Sequence, residues 1–180
     1  MCQLGELTNN LLTDEPVIGY RGWCIKNIRG DGKELFPLNR HVNIPFNKDI
    51  TKAILCPNSD DSHFLEHECG LYSSNYNYNN YYYNNYYYDY NCNYDNYYSL
   101  YNYYDNCNYY IAGKFEHSGK IAHHKLGYRS TYGRPILLVK LTPKKGLDKK
   151  FQEFLEHFNL VIQRTADYYR CETINHEDFK

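Results

Sequence analysis

The chain has 180 residues, which fits one domain of ordinary size with a buried core. Its 20 lysines and arginines nearly balance 21 acidic residues, so no global field attracts phosphate backbones or anionic lipid. The longest apolar run, Ile136 to Val139, is far too short for a membrane-spanning helix, which needs about 18 apolar residues.

Residues 1–16 contain no basic region followed by an apolar core, so the sequence predicts no secretory signal and an intracellular protein. We assign these residues to an N-terminal extension. The seven cysteines are odd in number and irregularly spaced. In a reducing compartment this pattern favours free thiols or metal ligands over disulfides.

A β-hairpin is predicted near the start of the domain. Val17 to Ile28 is rich in β-forming residues and ends at the turn signal Gly30-Asp31-Gly32. Its expected partner strand is Lys33 to Leu38. Ile50 to Cys56 is short and apolar, and its pattern fits either a helical turn or a strand.

A low-complexity segment rich in tyrosine and asparagine interrupts the chain. Tyr72 to Tyr110 holds 18 of the 23 tyrosines and has neither a helical nor an alternating apolar period. We therefore predict a disordered insertion over residues 72–109 with a tendency to self-associate. Expansion of an AT-rich repeat explains such a tract without selection for binding, and a functional adhesive tract is the alternative.

After the insertion, three strands are predicted at Tyr110 to His117, Lys120 to His124 and Arg134 to Leu141, separated by glycine and proline signals. The apolar spacing then becomes helical from Leu147 to Phe158. We expect Asn159 to end this helix, and Leu160 to Gln163 to form a last short strand.

The predicted fold class is α+β, with a mainly antiparallel sheet and a C-terminal amphipathic helix packed on it. Residues 17–71 and 110–165 form this single domain in the predicted organisation, and residues 166–180 form a C-terminal tail.

Three short motifs resemble a domain of bacterial, especially actinobacterial, proteins. They are GYRGW at residues 19–23, ECGLYS at 68–73, and the stretch from Gly113 to Pro135 that contains GYRSTYGRP. The resemblance covers residues 17–165 and implies no activity. Separately, the Asn-rich and Tyr-rich insertion resembles proteins of giant DNA viruses of amoebae.

A zinc site is predicted within a span of fourteen residues. Thiolate and imidazole are the ligands that zinc prefers, and a closed structural site needs four of them. The four candidates are Cys56, His63, His67 and Cys69. Their spacing matches no common zinc finger, so the alternative is two buried thiols with two histidines on a solvated loop. Cysteine and histidine in this part of the resembling bacterial domains add support for zinc.

Two catalytic alternatives use histidine. If Lys120 to His124 pairs back onto Lys114 to His117, His117 and one of His123 or His124 face the same side and could act as metal ligands or as acid and base. The alternative is a pair of exposed histidines on an antiparallel hairpin. Cys69 could instead be a nucleophile with His67 or His117 as its base. No phosphate-binding loop or dinucleotide fingerprint is present, so no nucleotide cofactor is expected.

A binding face is predicted where cations alternate with aromatic residues, because such a surface stacks bases or holds phosphates. Its candidates are Arg21, Trp23, Tyr128 and Arg129. The alternative is a core of aromatics with outward arginines. Overall, the sequence favours a non-catalytic binding domain, with protein or single-stranded nucleic acid as partner, over a small hydrolase or transferase.

Overall fold

The computed structural model describes residues 7–13, 15–25, 33–37, 44–53, 70–75, 109–142 and 149–179, with the backbone alone for 7–13 and 109. The elements in chain order are β1 (Leu7–Thr13), β2 (Val17–Ile25), β3 (Leu35–Pro37), β4 (Thr51–Lys52), β5 (Leu71–Ser74), β6 (Tyr109–His124), β7 (Gly127–Lys140), α1 (Lys149–Tyr169) and β8 (Glu172–Asn175), followed by a 3₁₀ turn (His176–Asp178). This is a mainly antiparallel sheet with one C-terminal helix, which confirms the α+β prediction.

Four strands pair in a closed ring. β6 lies between β2 and β7, β7 also pairs with β5, and β5 meets β2 at Tyr20 and Ser74, all antiparallel. β6 bends at register shifts next to Lys114 and between Ser118 and Ile121, and such irregularities bend strands sharply. The ring therefore has an inner face, where the aromatic core lies, and an outer face.

The inner core contains the indole of Trp23 and the rings of Phe46 and Phe115, with centroids 5.7 to 6.4 Å apart. α1 adds a buried stripe with helical spacing, Leu155, Phe158, Val161, Ile162, Thr165, Ala166 and Tyr169. Hydrophobic burial on this stripe holds the helix against the sheet.

The predicted hairpin of β2 and β3 is confirmed, since Trp23 to Ile25 pair antiparallel with Leu35 to Pro37. Three strands were predicted after the insertion, but the structure has two, β6 and β7. Ser118-Gly119 lies inside β6 rather than in a turn. Gly119 has a φ of 69°, so glycine serves a bend of the strand at this position.

The predicted helix end at Asn159 is wrong, and so is the strand at Leu160 to Gln163, because α1 continues to Tyr169. The Asn159 side chain pairs with the backbone of Leu141, accepting from its N–H at 3.0 Å and donating to its carbonyl at 2.8 Å. Asn159 therefore joins the helix to the end of β7 instead of terminating the helix.

Both predicted termini of the domain need correction. The extension at residues 1–16 contains β1, which pairs with β6, and the tail at 166–180 contains β8, which pairs with β7. Phe179 is buried in the core. Short polar strands that join an existing sheet edge carry little periodicity of their own, so the sequence pattern did not reveal them.

The predicted insertion is shorter at both ends than 72–109. Tyr72 to Ser74 belong to β5 and Tyr109 belongs to β6, while residues 76–108 lie outside the described part. Asn75 bonds Leu126 at the β6–β7 turn, whereas Tyr109 pairs with Ile25 at the far end of β6. The described ends of the insertion thus lie at opposite ends of the longest strand.

The expectation of unpaired cysteines is wrong for Cys24, which is disulfide-bonded. Cys171 is free, and burial raises the pKa of its thiol to about 12, so this thiol stays protonated and poorly reactive at neutral pH.

The Tyr169 hydroxyl joins two segments under α1. It accepts from the Leu35 N–H and donates to the Phe46 carbonyl, both at 3.0 Å. Tyr169→Phe leaves both buried backbone groups without this partner, so we expect a loss of roughly 1 to 3 kcal/mol in the free energy of unfolding. Urea unfolding measures it.

The matched control is Tyr168→Phe, which removes the hydroxyl of the half-buried neighbour and should change stability by less than about 0.5 kcal/mol. Equal losses in the two variants would contradict the bridging role of Tyr169.

Candidate functional site

A polar cluster lies on the inner face of the ring. His117 on β6 is fully buried, and its two ring nitrogens contact two serine hydroxyls. Nε2 lies 2.5 Å from Ser73 Oγ on β5, and Nδ1 lies 2.6 Å from Ser130 Oγ on β7. We call these three residues the His117 cluster. Three different strands thus position one imidazole.

The hydrogen-bond directions in the His117 cluster follow from the number of protons. Ser130 donates its only hydroxyl proton to the Tyr132 carbonyl at 2.7 Å. Nδ1 of His117 must then donate to Ser130 Oγ, which leaves Nε2 to accept the proton of Ser73. His117 is therefore assigned as the neutral Nδ1–H tautomer with its lone pair on Ser73.

The electrostatics favour the same neutral form. The pKa of His117 is lowered to about 3, mainly by burial and to a lesser extent by the neighbouring charges of Arg21 and His123. An imidazole in this environment carries no charge at physiological pH.

The absence of a side chain at Gly19 leaves the space that the Ser73 side chain occupies. A Cβ at Gly19 would lie 1.9 Å from Ser73 Oγ and 2.8 Å from its Cβ. Since real Cβ atoms never approach this closely, any larger residue at position 19 displaces Ser73 from His117. The first glycine of the GYRGW motif thus maintains a close approach of β2 to β5.

Two half-buried rings lie next to the cluster. Tyr128 has its ring centroid 6.0 Å from that of His117 and 5.3 Å from that of His123, its cross-strand partner. The Tyr128 ring thus lies close to both His117 and His123. Their predicted hairpin is wrong, because both lie on β6, which pairs with β7 rather than with itself.

The predicted binding face is also wrong as an exposed surface. Trp23 is fully buried and Arg129 is 2 % exposed, while Arg21 and Tyr128 are half-buried. The Arg21 guanidinium donates to the Tyr72 carbonyl and lies 4.8 and 5.1 Å from the ring centroids of Phe46 and Phe115. Strand alternation puts Arg21 and Trp23 on one side of β2, whereas the consecutive residues Tyr128 and Arg129 point to opposite sides of β7.

A second set of side chains, on β2, β4, β6 and β7, forms the outer face of the ring. Direct cross-strand neighbours share a face, and the pairs Ile18–Glu116, Glu116–Arg134, Tyr20–Lys114 and Tyr132–Lys52 therefore point to the same side. We call this surface the outer sheet face, with members Ile18, Tyr20, Lys52, Lys114, Glu116, Tyr132 and Arg134. All seven are half-buried or exposed.

Two lysines of the outer sheet face lie against tyrosine rings. Lys114 Nζ is 5.7 Å from the Tyr20 ring centroid, and Lys52 Nζ is 5.8 Å from that of Tyr132. Arg134 Nε contacts Glu116 at 2.8 Å. Three cations and one carboxylate share this surface, so its local charge is positive although the whole chain is nearly neutral.

Ser73, Ser130 and Lys52 were missed as site residues by sequence reasoning. A serine beside a histidine in space leaves no trace in sequence when 44 residues separate them, as they do for Ser73 and His117. The basic character of Lys114 and the aromatic character of Tyr20 were visible, but only the strand register shows that they share a face.

The predicted zinc ligands Cys56, His63, His67 and Cys69 lie outside the described residues, as does the Cys69 nucleophile. Within the described ranges no group of three or more histidine, cysteine or acidic residues could hold a metal ion.

Comparisons with protein-family models, with curated proteins and with solved structures found no match. Among the described residues, no helix is both long enough and apolar enough to cross a membrane.

The depressed pKa of His117 predicts a pH dependence of stability. An unfolded histidine takes up a proton near pH 6.5, while the folded one resists down to about 3. The stabilisation that neutral His117 provides is therefore complete above pH 6.5. It is lost as pH falls from 6.5 towards 3, by about 1.4 kcal/mol per pH unit.

We expect wild type to lose more stability than His117→Gln between pH 6.5 and 4, because glutamine keeps polar atoms and does not titrate. Urea unfolding at several pH values measures the difference, in which the carboxylates common to both proteins cancel. Parallel curves for the two proteins would contradict a depressed pKa at His117.

Proposed function

We propose that this protein is a non-catalytic binding domain and that its ligand is a polyanion held on the outer sheet face. The observation that carries the proposal is the shared orientation of Lys52, Lys114 and Arg134 on that face. Oriented cations on one surface raise the local concentration of an anionic partner even when the net charge is near zero.

The state of His117 argues against acid–base catalysis in this domain. A general base works best when its pKa lies near the working pH, and a pKa of about 3 is too low for efficient proton uptake at neutral pH. The partner of Nδ1 is the neutral hydroxyl of Ser130, which does not stabilise an imidazolium as a carboxylate does. The His117 cluster is consistent with a structural role, because its hydrogen bonds connect β6 to β5 and β7 inside the sheet.

The test is retention on immobilised heparin, used as a generic polyanion. The variant Lys52→Gln/Lys114→Gln/Arg134→Gln removes the cations of the outer sheet face, and we expect it to elute at lower salt than wild type, because each ionic contact displaces counterions. The control Lys149→Gln/Lys150→Gln/Arg164→Gln removes three exposed cations of α1.

Because the two triple variants have the same net charge, a difference in elution isolates the position of the cations. Equal retention of both variants, or no retention of wild type, would refute binding by the outer sheet face.

A second candidate function is a hydrolase or transferase, which sequence analysis gave as the alternative with a Cys/His or His-pair site, here with a serine as the nucleophile. The supporting observation is the lone pair of His117 Nε2 directed at Ser73 Oγ, the direction required of a base that activates a nucleophile. Ser73 would replace Cys69 as the nucleophile. Its 5 % exposure limits access for a substrate.

A fluorophosphonate probe separates the two candidates, since it modifies activated serines. We expect no adduct at Ser73 by mass spectrometry, because the hydroxyl is buried and its base is weak. An adduct that is absent from both Ser73→Ala and His117→Gln would overturn the non-catalytic proposal.

We further propose that Cys56, His63, His67 and Cys69 bind zinc and support their loop, as four ligand-type side chains within fourteen residues predict. Protein purified without a metal-binding tag should contain about one equivalent of zinc, and chelation should lower its melting temperature. Cys69→Ser should lose the metal, while the control Cys171→Ser should keep it. Less than about a tenth of an equivalent would end the proposal.

A further inference from the structure

We propose that the occupant of the outer sheet face is a single strand of nucleic acid whose bases stack on Tyr20 and Tyr132. This inference rests on the polyanion-binding function proposed above and names its partner. Single-strand binding surfaces combine aromatic rings, which accept any base, with cations that follow the phosphates.

The positions of the two rings fit two separate bases. Tyr20 lies on β2 opposite Lys114, and Tyr132 lies on β7 opposite Ser118, with β6 between them. Two strand spacings across and four residues along β6 put the rings about 15 Å apart. Glu116 on β6 lies midway between them, flanked by Ile18 on β2, whose side chain is 54 % exposed, and by Arg134 on β7. A strand crossing this surface therefore meets an aromatic ring at each end and the Arg134–Glu116 ion pair between them.

Both rings are held in place before any ligand arrives. Tyr20 makes an edge-to-face contact with buried Phe179, with centroids 5.6 Å apart. Tyr132 lies so close to Gly119 that a Cβ there would be 2.7 Å from its Cδ2 atom. Preorganised rings lose little side-chain freedom on binding, which favours affinity.

The cations are arranged around the rings. Lys114 and Lys52 each carry an ammonium group within 6 Å of one ring centroid, and flexible lysine side chains there reach a phosphate next to a stacked base. Arg134 forms an ion pair with Glu116, and the Arg134 side chain is 54 % exposed. Solvent therefore weakens this ion pair, and the guanidinium can turn to a phosphate.

A duplex suits this surface less well. Its bases stack on one another and expose only their edges, so a duplex would use the three cations and leave both tyrosines without a role. A single strand uses every member of the face except Glu116.

The experiment is fluorescence anisotropy of the full chain with labelled (dT)12, (rU)12 and a 12-base-pair DNA duplex at several salt concentrations. We expect both single strands to bind more tightly than the duplex. Three phosphate contacts predict a slope of about −2 in log K against log salt for a single strand. Tyr132→Leu should weaken single-strand binding at least about fivefold, since stacking contributes about 1 to 3 kcal/mol per base.

Tyr132→Phe keeps the ring and should bind as wild type does, which separates stacking from the hydroxyl. Tyr20→Leu tests the second stacking position. The melting temperature of this variant must also be measured, because Tyr20 contacts buried Phe179. Two results would overturn the inference: no single-strand binding at low salt, or binding that neither leucine variant weakens. Heparin retention that depends on the three cations would in either case leave the polyanion-binding function standing, with an acidic protein surface as the partner.

Discussion

The register of β6 between β2 and β7 is the constraint on which the rest of the structure depends. Phe115 and His117 face inward because they pair beside Gly19 and Val17 on β2 and beside Pro135 and Gly133 on β7. A slip of one residue would exchange the two faces, placing Lys114 and Glu116 in the core. The same pairing therefore sets the hydrophobic core, the His117 cluster and the outer sheet face.

The buried polar cluster is compatible with this core because it carries no charge. A charged imidazole at this depth would need a carboxylate partner, whereas a neutral one is satisfied by the hydroxyls of Ser73 and Ser130. Arg21 keeps its charge nearby through the Tyr72 carbonyl and two phenylalanine rings. The interior thus accommodates polar side chains by hydrogen bonds and ring contacts from several strands.

The fold class could be predicted because it depends on local patterns. The β2–β3 hairpin and the start of α1 follow from apolar period and turn residues, and both are present. The roles of Asn159 and of Ser118-Gly119 could not be predicted, because each depends on a distant partner: the backbone of Leu141 for the first and a bend of β6 for the second. Local rules reserve such residues for caps and turns.

The candidate site was less predictable for the same reason. The GYR motifs drew attention to Arg21 and Arg129, but aromatic and cationic residues alternate there, and a sequence does not state which parity faces the core. Arg129 is buried, whereas Arg134 on the same strand is exposed. His117 was identified as a candidate, although its partners Ser73 and Ser130 come from strands that only the closed ring brings together.

The placement of Asn75 and Tyr109 at opposite ends of β6 sets a minimum length for the connection between them. β6 has 16 residues, so the path to be covered is up to about 50 Å when the strand is taken as extended. A hairpin loop of two to five residues joins neighbouring strand ends and cannot replace such a crossing. About 15 extended residues suffice. The connection can therefore lengthen without disturbing the sheet, whereas shortening it below this number of residues would require the sheet itself to change.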